Sequence, residues 1–136
     1  MKYSIASNIG WVALGGVCGA LLRHGTNRLF GILAADSHFI TATTIENLLG
    51  SFLMGILFVI LSKQTEKNDR INLFLITGLL GSYTTYSGFM AEAFVFYSSS
   101  FTLFAAYISS QIFMGVAVLI MGMKLAEKIY IKRVNN

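Results

Sequence analysis

Thr77-Gly78-Leu79-Leu80-Gly81-Ser82-Tyr83-Thr84-Thr85-Tyr86-Ser87-Gly88-Phe89 is the stretch on which the fold turns. It sits in the middle of an apolar run from Ile71 to Tyr97, where hydroxyls, glycines and aromatic rings crowd together. Glycines and consecutive threonines are poor helix formers. Backbone released from the i→i−4 ladder inside a bilayer must find other partners, so it is tolerated only against protein or a polar cavity. The stretch therefore predicts a membrane crossing broken near its middle. Such a break exposes an amide end that favours anions and carbonyls that can hold a cation such as Na⁺.

Outward from this stretch, three more apolar runs appear, giving approximate helices over 5–32, 40–62, 71–97 and 101–124. Each is long enough for a hydrocarbon core of about 30 Å, which takes roughly 20 helical residues. The four use nearly all of the 136 residues, so the expectation is a single all-α integral membrane unit over 1–136 with four transmembrane helices, the third broken. Composition agrees: 55% of residues are hydrophobic, only 12% are charged, and the mean hydropathy is +0.69. A soluble surface needs about twice that share of charge. Cys18 stands alone, which excludes a disulfide framework. The first run is patterned with glycine and lacks a small-x-small cleavage site after a basic region, so it reads as a crossing and not a removable leader.

The net charge of +4 does not point to nucleic acid, because the ten basic residues are scattered between apolar runs. With the N-terminus inside, Lys2, Lys63, Lys67, Arg70, Lys124, Lys128, Lys132 and Arg133 lie on the cytoplasmic side and only Arg23 and Arg28 on the other. That bias predicts two cytoplasmic termini. Beyond Met123 a charged helical extension is expected to sit at the headgroups.

Small residues at helical spacing predict close helix packing: Gly15, Gly16 and Gly19 in the first run, Ser51 and Gly55 in the second. Asn47 lies inside the second crossing and needs hydrogen-bond partners there. Glu46 points about 100° away from it, which suggests the headgroups or a vestibule. Arg23 either snorkels, stands at the mouth of an anion route or pairs with Glu92. Tyr86 and Phe89, at i and i+3 just past the break, are placed to line something with their electropositive ring edges. Tyr107, Ser109, Ser110 and Gln111 either form a polar track or bond back to their own helix.

Taken in order, these residues resemble one family. Gly15-Gly16-Val17-Cys18-Gly19-Ala20-Leu21-Leu22-Arg23-His24, Asn47-Leu48-Leu49-Gly50-Ser51-Phe52 and Thr77 through Glu92 are similar to the three helix motifs of the Fluc, or CrcB-type, fluoride channels. The resemblance covers all four runs. It implies an antiparallel dimer in a bacterial plasma membrane that lets fluoride leave the cell passively. It also implies a structural Na⁺ held at the dimer centre by the carbonyls of Gly81 and Thr84. The family's pore asparagine falls on Asn47 and its two pore phenylalanines on Tyr86 and Phe89. Arg23, Gly19, Gly50 and Glu92 match motif positions, and Thr85 and Ser110 would supply hydroxyls to the fluoride path.

Three positions depart from the pattern: Tyr86 replaces a phenylalanine, Gly88 a small hydroxyl residue, and Glu46 precedes the asparagine where an apolar residue is commoner. The one-sided charge is at odds with a chain that inserts both ways. It favours pairing with a paralogous subunit of opposite orientation over pairing with itself. Two rival readings remain: a four-helix proton-coupled drug transporter using Glu46 or Glu92, and a non-conducting assembly subunit. An enzyme is not indicated, since His24 and His38 are isolated and no GxxxxGK[ST] loop is present.

Overall fold

A computed structural model describes residues 5–33, 38–63 and 69–134, with side chains other than those of 33, 38–41, 133 and 134. Lys2 and Lys67, with the side chains of His38, Thr41 and Arg133, lie outside the described residues. Every described element is helical: α1 (Ile5–Leu33), α2 (His38–Ser62), α4 (Tyr86–Ser99) and α5 (Phe101–Val134), with α3 between the second and third of these. We write α3 for a continuous run made of an α-turn (Asp69–Asn72), a π-helical stretch (Leu73–Leu80) and a last α-turn (Gly81–Tyr83).

Among the described residues, three helices are long and apolar enough to cross a membrane unaided, over Ile5–Ile32, Ala42–Ser62 and Phe101–Lys132. Neither α3 nor α4 has the roughly 20 residues a crossing needs; the broken pair together supplies the remaining crossing. The break falls inside the quoted stretch, at Thr84 and Thr85, whose backbones are extended (φ −74°, ψ 154° and φ −139°, ψ 115°). One feature differs from the expected helices: the first half of the broken crossing is π-helical, a wider i→i+5 turn that is uncommon at this length. The last helix runs unbroken to Val134, so the charged tail is the helical extension expected after Met123, continuous with the fourth crossing.

Packing proceeds along two seams of small residues. Gly15 and Gly78 face each other where α1 meets the π-helical stretch, and a Cβ added at Gly15 would overlap the Phe74 carbonyl oxygen. One turn on, a Cβ at Gly19 would overlap the Leu79 carbonyl oxygen and the Ser82 hydroxyl. The second seam joins α2 to α5: a Cβ at Gly55 would overlap the Leu119 carbonyl, and one at Gly122 the Phe52 carbonyl. Backbones this close maximise van der Waals contact, the main attraction left when lipid is as apolar as the helix. Gly16, the middle member of the first trio, faces open space.

Burial is inverted relative to a soluble domain. Large apolar side chains such as Ile32, Phe113, Leu21 and Phe94 point outward, as lipid-facing residues do. Much of the inside is small or polar, Ala42, Ala93, Ala126, Thr43, Glu46 and Glu92 all being buried, with Val59, Leu61 and Leu80 as its larger apolar members. Tyr83, also buried, lies with its hydroxyl 3.3 Å from that of Thr26 on α1.

Candidate functional site

The break creates the chemistry of the site. In an unbroken helix the Thr85 N–H would bond the Gly81 carbonyl. Here it goes instead to Asn47 Oδ1 at 2.8 Å, while Asn47 Nδ2 donates to the Thr85 carbonyl at 3.2 Å. One side-chain amide on α2 thus satisfies both backbone groups of the extended residue, the partnering that a polar group at this depth requires. The Thr84 N–H and hydroxyl both donate to the Leu80 carbonyl, at 3.1 and 2.9 Å, closing the last turn of α3. The Gly81 carbonyl is left without its i+4 donor, and the residue is exposed.

Thr85 also caps the following helix. Its Oγ1 accepts from the Gly88 N–H at 3.0 Å, the usual bond from an N-cap threonine to the third helical residue. The amides of Tyr86 and Ser87 at the start of α4 have no carbonyl one turn back inside their helix and lend this end a partial positive charge. Gly50 brings α2 up to the break, where a Cβ would overlap the Thr84 methyl.

Around the break lies an open cavity of about 330 Å³, lined by Asn47, Ser51, Thr84, Thr85, Tyr86 and Phe89 among others. A second, of about 120 Å³, shares Asn47, Ser51 and Phe89 and adds Gln111 and Gly115 from α5. The structure therefore gathers Asn47, Thr84, Thr85, Tyr86 and Phe89 at one place. Tyr86 is 76% exposed, so its ring faces away from the chain. From it a file of rings leads inward: Tyr86 to Phe89 at 6.2 Å between centroids, Phe89 to Tyr107 at 5.6 Å, and Tyr107 to Phe96 at 4.9 Å.

Further in, the Tyr107 hydroxyl donates a hydrogen bond to Glu92 Oε2, and Gln111 Nε2 donates to Thr44 Oγ1 at 2.6 Å. Glu92 is 3% exposed and its other oxygen has no partner among the described residues. Ser110, expected to face the pathway, is exposed and donates back to the Tyr107 carbonyl of its own helix at 2.8 Å.

Two readings of charged residues are corrected. Glu46 does not look out to headgroups or a vestibule: it is 1% exposed, and Asn27 Nδ2 donates to its Oε1 at 2.7 Å. The 100° step from Asn47 turns it into the contact between α2 and α1. Arg23 does not pair with Glu92; no ion pair joins them among the described residues, because Glu92 is held by Tyr107 on α5. Arg23 is half-buried on α1, one turn before Asn27, whose amide also reaches the Arg23 carbonyl at 3.0 Å.

Asn27 was not singled out from the sequence. An amide one turn from an arginine in a mostly apolar run is the signal that could have found it. Ser82 is another such residue, donating to the Gly16 carbonyl at 2.7 Å across the α1–α3 seam. Among the described residues no group of three or more His, Cys, Asp or Glu side chains is placed to hold a metal.

Comparison with known proteins gives one family. Residues 10–123 match the model described as CrcB-like protein, Camphor Resistance (CrcB). Among curated relatives, a protein of Cereibacter sphaeroides is 42% identical over 117 residues, covering 82% of this chain and 88% of its own. One from Flavobacterium psychrophilum is 35% identical over 120 residues, with 88% and 96% covered. One from Agrobacterium fabrum is 31% identical over 124 residues, with 90% and 98% covered. All three carry the name fluoride-specific ion channel FluC.

Proposed function

The chain belongs to the CrcB-like family, and from that premise we propose that it is a subunit of a fluoride-specific channel that lets fluoride leave the cytoplasm passively and so lowers its toxicity. The observation that carries the reading is the convergence of Asn47, Thr85, Tyr86 and Phe89 on one cavity beside a helix broken in mid-membrane. Fluoride holds its water tightly, so a path through a bilayer must replace hydration with donors along its length. Asn47 Nδ2 has a second hydrogen beyond the one given to Thr85. The Thr85 and Ser87 hydroxyls lie 3.3 Å apart at the amide end of α4, and the edges of Tyr86 and Phe89 carry partial positive charge. Arg23 draws anions to the mouth, and Ser110 would add a hydroxyl beyond the rings only by releasing the Tyr107 carbonyl.

The functional unit is a dimer in the bacterial plasma membrane, and two features support this. Tyr86 and Ser87 are exposed at the depth of the break, where lipid is a poor neighbour for hydroxyls. The Gly81 and Thr84 carbonyls suit a structural Na⁺ in chemistry, being hard oxygens freed by the break. One chain offers only two of them, so a partner supplies the rest. When bound, the ion would cross-link the two broken helices. The residues of this chain position those carbonyls, Asn47 by holding Thr85 and Thr84 by closing the turn on Leu80. With both termini cytoplasmic by the distribution of basic residues, the favoured partner is a paralogous subunit of opposite orientation. Pairing with a second copy of this chain is the alternative.

The test is fluoride efflux from liposomes, read with a fluoride electrode, with chloride as control. Selective efflux without a proton gradient, from this protein alone or after adding an oppositely oriented paralogue, is the expected result. No flux in either preparation would refute the reading. Na⁺ replacement by a large organic cation during purification is expected to dissociate the dimer or abolish the flux.

A further inference from the structure

The seam between α2 and α5 does not close along its whole length. It is tight at Gly55 and Gly122, where a Cβ would overlap the facing carbonyls of Leu119 and Phe52. Past these glycines a cavity of about 290 Å³ opens between the two helices. Ile56 and Ile60 of α2 and Leu125, Ala126 and Ile129 of α5 wall it, with Lys63 and Tyr130 at one end. The walls are apolar, so the Lys63 ammonium and the Tyr130 hydroxyl are the polar side-chain groups of this cavity. Lys63 Nζ stands 5.0 Å from the centroid of the Tyr130 ring, a cation–π contact. Among the described residues no carboxylate pairs with it, Glu127 on the same stretch of α5 included.

Depth gives the cavity its direction. The Gln111–Thr44 bond joins residues 67 positions apart, and the Tyr130–Lys63 contact has the same separation, so α2 and α5 run parallel and in register. The apolar crossing of α2 ends at Ser62, one residue before Lys63. Lys63 and Tyr130 therefore stand at headgroup level, the depth that snorkelling lysines and interfacial tyrosines occupy. From there the walls descend to Ile56, about 10 Å of helix into the hydrocarbon. Along α5, the exposed Lys124, Lys128 and Lys132 form a row at four-residue spacing, each next in sequence to or one turn from the wall residues Leu125 and Ile129. The cavity is thus an apolar slot with a positively charged mouth.

We propose that this slot is a binding site for one anionic phospholipid, its acyl chain between α2 and α5 and its phosphate on Lys63. The site shares no residue with the cavity at Asn47 and does not depend on the channel reading. A volume of about 290 Å³ holds part of one chain and is too small for a further helix, whose diameter is about 10–12 Å. The Tyr130 ring covers one side of the ammonium and leaves hydrogens for an acceptor, which at this depth is a headgroup phosphate. A zwitterionic lipid carries the same phosphate, but its own cationic group offsets the charge, so the site selects a net negative headgroup. Basic pockets between crossings favour anionic lipids for this reason.

Native mass spectrometry of the full chain in detergent, titrated with phosphatidylglycerol or with phosphatidylcholine of identical chains, decides it. One phosphatidylglycerol per chain is expected to bind several times more tightly than phosphatidylcholine. Lys63→Gln is expected to weaken the phosphatidylglycerol complex about fivefold, the factor one basic residue contributes near a headgroup, and to leave phosphatidylcholine unchanged. Lys63→Arg is expected to keep the preference. Ile60→Trp, which fills the slot, is expected to remove the tight site for both lipids; if it does not fold, Ile129→Trp, at a position 60% exposed, serves the same purpose. Equal affinity for the two lipids, or a preference that survives Lys63→Gln, would overturn the proposal. So would a parent that takes up no lipid while the tryptophan variant shifts the monomer–dimer balance, since another subunit would then cover the slot.

Discussion

Removing the Asn47 side chain with Asn47→Ala strips both partners from Thr85 at once. The bonds at 2.8 and 3.2 Å vanish, and an N–H and a C=O stay behind in a half-buried segment at membrane depth. Leaving one buried backbone group unsatisfied costs about 1–3 kcal/mol. Two such groups cost roughly 2–6 kcal/mol. Asn47→Asp keeps the acceptor for the Thr85 N–H but turns a second oxygen toward the Thr85 carbonyl, so it should recover no more than half. The protein carries its own reporter: Trp11 is the only tryptophan in the chain and stands edge-on to Phe74 of α3, 6.3 Å between centroids. Its emission during heating follows the α1–α3 contact, and hydrogen exchange at the Thr85 amide follows the bond itself. The expected result is a lower melting temperature with fast Thr85 exchange in Asn47→Ala and an intermediate case in Asn47→Asp. A variant that melts like the parent and keeps Thr85 protected, yet carries no fluoride, would falsify the clamp and leave Asn47 with a role in the path alone.

Three further outcomes are expected. Gly19→Val should destabilise the protein by several kcal/mol or prevent its assembly, since even a Cβ would overlap the Leu79 carbonyl oxygen. Gly16→Ala, which faces open space, should melt within about 0.5 kcal/mol of the parent. Tyr107→Phe should cost about 2–4 kcal/mol in melting experiments by removing the hydroxyl that donates to the buried Glu92 carboxylate, whereas Glu92→Gln, which still accepts from the Tyr107 hydroxyl, should cost less. Tyr86→Phe should leave stability unchanged, because the ring is 76% exposed, and should retain fluoride efflux; loss of efflux would show that the hydroxyl and not the ring edge faces the ion.

What the sequence determined by itself is local in origin. Hydropathy placed three unbroken crossings and a fourth, and the glycines and threonines of the quoted stretch placed the interruption where the backbone turns extended. Both signals are carried by near neighbours in the chain, so they survive without knowledge of the rest. The small-residue spacing of Gly15 and Gly19 was likewise legible as close packing, although nothing in it said that the partner would be a π-helical stretch.

Which side chains meet across helices was decided only by tertiary structure. Consecutive residues on a helix point about 100° apart, so Glu46 and Asn47 had to face different neighbours, but the rotation of α2 settled which was which. It sent Asn47 to the Thr85 backbone and buried Glu46 against Asn27, reversing the expectation of an outward carboxylate. Glu92 was equally free, on sequence grounds, to reach Arg23; the packing of α4 on α5 gave it to Tyr107 instead. In a bilayer these choices carry large energies, because a polar group with no partner has no water to fall back on. Pattern along the chain can therefore say that Asn47, Glu46 and Glu92 must be partnered, and only the relative rotation of the helices can say by whom.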